Sequence, residues 1–461
     1  MAGIGFELKK IYGRKTLATN IWGTIYATMI TIGPTILSAI LMLALNFLLG
    51  RSGLTVLENR FFIAAVTYAF LTGLLVSVFF STLVSRYIAD CVYLGKDSDI
   101  FPSAFGVLAL ATSVSGVVML LLCAGVYLSG DGVPLSFLVS YYFLGVLVTD
   151  AYSLMTYASA LKHYRALTFS FFLGLVLAIG AYIICDRWFP GVYKITAACI
   201  ALVCCYMVVI LALIFQCVKA FGVPKGQYFA FLPYFRRYPK LAIGGVAYTL
   251  GLYCPTIIYW SFSGLREQVS IFRTAPTYDM AMFLAFVVNV PALVIFVVKV
   301  ETAFYEKFVV YISALNNGSL RQIEKERNVM TRALLQELFF VYEVQLIITV
   351  VLVCLVSVFF PYLNASLPML HMSVLLSLGI CAVFCMYFTI VVFYYFSDYD
   401  GAYISASVFL AVTFLGAVAA VLGNAFYLLP LPLLAGGLCG WLVAFVLLRR
   451  RMEKLDSFLM C

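Results

Sequence analysis

Charge is scarce in this sequence. Asp, Glu, Lys and Arg make up 11% of its 461 residues, against roughly 25% in an ordinary soluble domain. So few charges cannot cover a water-facing surface, which excludes a soluble globular protein. Histidine occurs only twice, and the 13 cysteines include no C-x-x-C pair. Most thiols fall inside apolar runs, as Cys204, Cys205, Cys354, Cys381 and Cys385 do, where they read as small packing residues. Metal and disulfide chemistry find no support, and no cofactor is expected. No G-x-S-x-G elbow, Walker loop or H-E-x-x-H occurs, so nothing points to an enzyme.

Long apolar runs are what the chain does have. Hydrophobic residues reach 64%, and a helix crossing the ~30 Å hydrocarbon layer needs about 20 of them in a row. Twelve spans are predicted near 22–49, 61–85, 104–128, 134–160, 166–186, 195–219, 241–263, 278–301, 334–360, 369–396, 402–427 and 429–448. All are predicted helices, because backbone polar groups in lipid must be satisfied within the segment and nothing here alternates like a barrel strand. The class is an all-α polytopic membrane protein.

Orientation follows from the basic residues. Of the 29 Lys and Arg, only Arg51, Arg60, Arg187, Lys194, Arg266 and Arg273 fall on one side of the spans. The rest fall on the other, which the positive-inside rule assigns to the cytoplasm together with both termini. The net charge of +9 is therefore a topology signal. Nucleic acid is a poor partner, since no basic soluble domain exists to bind it. The first apolar run is too long for a cleaved signal peptide.

Two inside segments are longer than a turn. Residues 220–240 interleave Phe221, Tyr228, Phe229, Phe231, Tyr234, Phe235 and Tyr238 with Lys225, Arg236, Arg237 and Lys240. That mixture suits an interfacial linker on anionic lipid. It separates an N-terminal bundle, 1–219, from a C-terminal bundle, 241–461, with six spans each. The second segment, about 302–332, repeats Phe304, Phe308, Tyr311, Ile312 and Leu315 at helical spacing. Asn316-Asn317-Gly318 breaks that helix, and Ser319 with Gln322 opens the next. A helical hairpin is predicted there. It is either a solvated connector or a docking surface made by Phe304, Phe308, Tyr311 and Leu315.

Gly33-Pro34-Thr35-Ile36 in the first span corresponds to Cys254-Pro255-Thr256-Ile257 in the seventh. Proline removes a helix hydrogen bond, and interrupted helices at matching places in two halves point to a transport pathway. Ionisable residues in lipid cost ~2.5–3.5 kcal/mol on insertion scales, so each is a candidate for function. Asp150 lies near the middle of the fourth span, and helical spacing sets Tyr142, Thr149, Ser153 and Tyr157 on or beside its face. It is a ligand for sugar hydroxyls or amides, a proton carrier, a partner for a cation, or a hydrogen-bond anchor between helices. Glu343, with Gln336 on the same side, lies two to three turns into the ninth span. Tyr248, Tyr253, Tyr259 and Trp260 surround Pro255, and Tyr387, Tyr394 and Tyr395 sit in the tenth span. A tyrosine-lined path suits a saccharide, although Tyr and Trp also gather at membrane interfaces. Ser397-Asp398-Tyr399-Asp400-Gly401 has a D-x-D spacing that reads as a helix-capping turn rather than a metal site.

The opening Met1-Ala2-Gly3-Ile4-Gly5-Phe6-Glu7-Leu8-Lys9-Lys10, followed by a Gly-Pro-interrupted span and no soluble domain, resembles the PelG family. That family belongs with the multidrug, oligosaccharidyl-lipid and polysaccharide exporters. The resemblance implies two six-helix bundles around a central cavity in the bacterial inner membrane. It implies export of an N-acetylhexosamine-rich polymer made by a PelF-like cytoplasmic glycosyltransferase, and assembly with a PelD-like cyclic-di-GMP receptor and a PelE-like membrane protein. An ion-coupled antiporter or lipid-linked oligosaccharide flippase, and a non-transporting scaffold for the synthase, are the alternatives. No site motif carries over from the family.

Overall fold

The computed structural model describes residues 37–453 and 455, apart from 39, 52, 161–163, 189–192, 223–225, 300–303, 360–365 and 424–425. Among them, 11 helices are long and apolar enough to cross a bilayer. The predicted first span falls largely outside the described residues, Pro34 and the opening decapeptide with it. Its remainder is the apolar helix α1 (Ile40–Arg51). The chain is a multi-pass membrane protein, and its described part divides into two compact units.

The N unit comprises Ile32–Val246 with Glu267–Thr274. It contains α1, α2 (Val56–Tyr93), α3 (Ile100–Leu128), α4 (Leu135–Ala160), α5 (Tyr164–Trp188), α6 (Lys194–Phe221) and the short α7 (Pro233–Arg237). The α4 helix packs on α2, α3 and α6 and so lies at the centre. Gly73 of α2 permits this, since a Cβ there would come 2.7 Å from the Val148 side chain. Thr55 starts α2 through a capping box: its hydroxyl accepts from the Glu58 N–H, and the Glu58 carboxylate takes the Thr55 N–H at 2.9 Å. Two backbone donors at the helix start are thereby satisfied.

The aromatics of the basic linker divide between two environments. Phe231 is buried in the N unit. Tyr234 stacks edge-on against Tyr87 and donates to Asp90 at 3.0 Å, while Phe235 packs on Phe79 of α2. Tyr228, Phe229 and Leu232 stay exposed.

Helix α8 (Pro239–Phe262) begins in the N unit and passes at residue 247 into the C unit. There it joins α9 (Pro276–Lys299), α10 (Tyr305–Asn317), α11 (Leu320–Phe359), α12 (Leu367–Tyr395), α13 (Tyr399–Leu422) and α14 (Leu431–Glu453). α12 is apolar all round, and 78% of its most apolar stretch is buried, against 22% for α11. It is the central helix, touching α9, α11, α13 and α14. Gly436 and Gly440 of α14 face Thr413, Phe409 and Met386, the small-residue contact that lets membrane helices approach. At 40 residues, α11 is ~60 Å long, twice the hydrocarbon thickness, and α10 packs against it.

One element escaped the sequence. The loop between α8 and α9 is not helical: β1 (Glu267–Val269) and β2 (Phe272–Thr274) pair antiparallel, with Val269 opposite Phe272. Both flanking helices belong to the C unit here, yet the hairpin belongs to the N unit. Phe272 is fully buried, 5.7 Å from the Phe61 ring, 5.0 Å from Tyr68 and 6.0 Å from Tyr141. The Tyr68 hydroxyl donates to the Arg273 carbonyl at 2.9 Å, and Arg60 pairs with Glu267 at 2.7 Å. Hydroxyls of Ser129 and Ser270 hold the Asp131 carboxyl below the usual carboxylate range. Phe272→Ser should undock the hairpin, since burying a Phe is worth about 3–5 kcal/mol against its truncation. The expected result is faster tryptic cleavage after the exposed Arg273 and a lower melting temperature. Unchanged cleavage and melting would show the hairpin is held by its polar contacts instead.

Candidate functional site

Asp150 projects from α4, the central helix of the N unit. Its carboxylate accepts the Thr112 hydroxyl of α3, 2.9 Å from Oδ1 and 3.0 Å from Oδ2. One hydroxyl proton cannot fill the acceptor sites of an ionised carboxylate. Among the described residues no Lys or Arg pairs with it, and the side chain is partly accessible. An open carboxylate at this depth requires water or a polar ligand rather than lipid. Tyr142 is partly accessible on the same helix, with its hydroxyl over Gly116 of α3.

Two other residues predicted for the pathway belong to the packing. Ser153 is buried and returns its hydroxyl to the Thr149 carbonyl at 2.9 Å. Tyr157 is buried and shares a hydrogen bond with Ser103 at 3.0 Å. Both expectations are corrected, because each hydroxyl is consumed inside the N unit.

The C unit corrects others. α8 runs unbroken through Pro255. The carbonyl that proline leaves without a backbone donor, that of Gly251, receives the Cys254 thiol at 3.7 Å, so the predicted interruption is only a lost backbone bond. Tyr259 is buried and donates to the Leu429 carbonyl at 2.8 Å; it is a core residue. Tyr253 remains partly accessible. Glu343 and Gln336 are exposed on α11.

The docking stripe is corrected too. Phe304 and Tyr311 are fully buried, and Phe308 and Leu315 partly so. The Phe304 ring lies 5.6 Å from Tyr395 and 5.9 Å from Phe396, and Phe308 lies 5.6 Å from Phe396. Phe304 and Phe308 of the stripe thus pack on the end of α12, and α10 itself packs on α11, all within the chain.

A polar cluster in the C unit was legible only in part. Asn289 of α9 donates to the Ala285 and Ser377 carbonyls, each at 2.9 Å. Its Oδ1 accepts from Thr349 at 2.9 Å and from Gln345 at 3.4 Å. Gln345 and Thr349 are one helical turn apart on α11, on its buried face. That i, i+4 spacing was the available signal. Asp398, from the D-x-D segment, caps α13 by accepting the Gly401 N–H at 3.2 Å. Arg451 of α14 grips it with two bonds, of 2.6 and 2.9 Å, so the capping-turn reading stands.

The same architecture is found among transporters. A MOP superfamily transporter from Pyrococcus furiosus Vc1 superimposes with a TM-score of 0.64 at 12% identity, covering 94% of this chain and 96% of that one. An outward-facing multidrug resistance MATE family transporter gives 0.62 at 12% identity, covering 94% and 96%. The Vibrio cholerae MATE transporter VcmN gives 0.61 at 13%, covering 97% and 98%. The chain therefore has the fold of the MOP superfamily transporters. Residues 1–459 match the family described as "PelG: Putative exopolysaccharide Exporter (EPS-E)", and the chain belongs to that family. No match was found among curated protein sequences.

Proposed function

We propose that this chain exports a growing N-acetylhexosamine-rich exopolysaccharide of the Pel type across the bacterial cytoplasmic membrane. A cytoplasmic glycosyltransferase of the PelF kind feeds it, with PelD-like and PelE-like proteins in the same assembly. The basic side and both termini face the cytoplasm, as the positive-inside rule requires. The full-length match to an exopolysaccharide exporter family carries this reading. The open carboxylate of Asp150 supports it, since a carboxylate accepts strong hydrogen bonds from sugar hydroxyls and amides.

The test uses inverted membrane vesicles holding this chain, with the glycosyltransferase and radiolabelled UDP-N-acetylhexosamine supplied outside. Polymer should accumulate inside, protected from added glycosidase. Polymer that stays digestible, at undiminished synthesis, would leave the chain as a scaffold for the synthase. Accumulation that collapses with a protonophore while synthesis continues would favour the ion-coupled mode.

A further inference from the structure

Tyrosines of α8 and α12 gather in the C unit. Tyr248 and Tyr387 meet with ring centroids 5.4 Å apart, and Phe409 of α13 backs Tyr248 at 6.2 Å. Tyr394 shares a helix face with Tyr387 on α12, and Tyr253 follows Tyr248 on α8. All four keep part of their surface accessible, unlike Tyr259 on the same helix. The hydroxyls of Tyr248, Tyr253 and Tyr394 make no hydrogen bond to another described residue, and they are not among the buried unpaired groups.

Depth makes this arrangement informative. Tyr394 stands at the basic-side end of α12, and Tyr387 lies two turns deeper on the same face, ~10.5 Å at 1.5 Å per residue. On α8, Tyr248 is ~13.5 Å from the basic-side start at Pro239 and Tyr253 is ~7.5 Å beyond it. Phenol groups are thus spread along some 20 Å of membrane depth by the same rise per residue. Hydrocarbon offers a hydroxyl no partner, so the unpaired phenols of Tyr248 and Tyr253, well inside α8, require water or a ligand that hydrogen-bonds.

We propose that Tyr394, Tyr387, Tyr248 and Tyr253 form a saccharide track leading inward from the basic side. A pyranose ring offers apolar C–H faces to aromatic rings and hydroxyls to phenol oxygens, so one residue type serves both contacts. None of the four is charged, which selects a neutral sugar and lets a polymer pass without binding tightly at one point. This inference rests on the exopolysaccharide reading and adds the residues that hold the substrate in the C unit.

The purified full-length protein is titrated calorimetrically with an N-acetylglucosamine tetrasaccharide and, separately, with tetraphenylphosphonium. Wild type should bind the tetrasaccharide. Tyr248→Phe and Tyr394→Phe keep the ring and should weaken it about fivefold each, the value of one neutral hydrogen bond. The double variant Tyr248→Leu with Tyr387→Leu loses both rings and should weaken it more than tenfold. Tetrasaccharide binding within twofold of wild type in the Phe variants, and in a Leu double variant of unchanged melting temperature, overturns the track. A wild type that takes tetraphenylphosphonium and no tetrasaccharide overturns the exopolysaccharide reading itself, because aromatic faces also attract cations.

Discussion

Asp150→Leu should lower export sharply while the protein still inserts and folds, and Asp150→Asn should keep a larger fraction of it. Each hydrogen bond to a charged group is worth about 1.5–3 kcal/mol and each neutral one about 1. Leucine removes every acceptor, so a fall of roughly 10- to 100-fold in exported polymer follows from the loss of one charged bond. Asparagine keeps a carbonyl for Thr112 or for sugar, and roughly a fivefold loss is expected. If proton exchange is what Asp150 does, asparagine fails as completely as leucine. Polymer released per molecule of inserted protein distinguishes these cases. Normal export from Asp150→Leu would leave only the bond to Thr112, making the residue an anchor between α3 and α4.

A large loss of stability should come from Asp398→Ala. Asp398 is 3% exposed and Arg451 30%, so the pair is shielded on one side only. Removing one partner of a buried pair costs about 3–5 kcal/mol, and loss of a helix N-cap about 1. Partial access of water to the guanidinium lowers the sum, and ~3 kcal/mol is a fair expectation. A marked drop in the melting temperature of the detergent-solubilised protein is expected. Arg451→Met should match it, because it strands the carboxylate instead. The double variant should be less destabilised than the two losses added, since neither charge is then left buried alone. Simple additivity would show that the bidentate contact contributes nothing beyond the cap.

Much of this architecture was readable from periodicity and composition. Span lengths, helical class and the capping role of Asp398 depend on apolar run length and local hydrogen bonding, which act within a few residues. Asp150 was legible as well, since a lone acid among apolar neighbours identifies itself. The hairpin at Glu267–Thr274 was not. Its strands have three residues each, too few for alternation to register, and Phe272 is stabilised by rings some 130 to 210 positions away. The stripe of α10 was read as amphipathic, with its partner left open between solvent and another protein. Spacing tells that Phe304 and Phe308 share an apolar face, and cannot tell that Phe396 packs against both.

The same division runs through the tyrosines. Tyr248, Tyr253, Tyr259, Tyr387 and Tyr394 are indistinguishable as letters in apolar runs. Which hydroxyl is spent inside the fold depends on whether an acceptor such as the Leu429 carbonyl stands opposite. Run length and charge bias alone established the class, eleven of the twelve expected spans and the expected side of the basic loops, because the bilayer acts on every segment independently. Only the tertiary structure decided that Tyr259, Ser153 and Tyr157 are packing and that Asp150 stays open. Satisfaction of a polar group is a property of its neighbours in space, and those neighbours come from other helices.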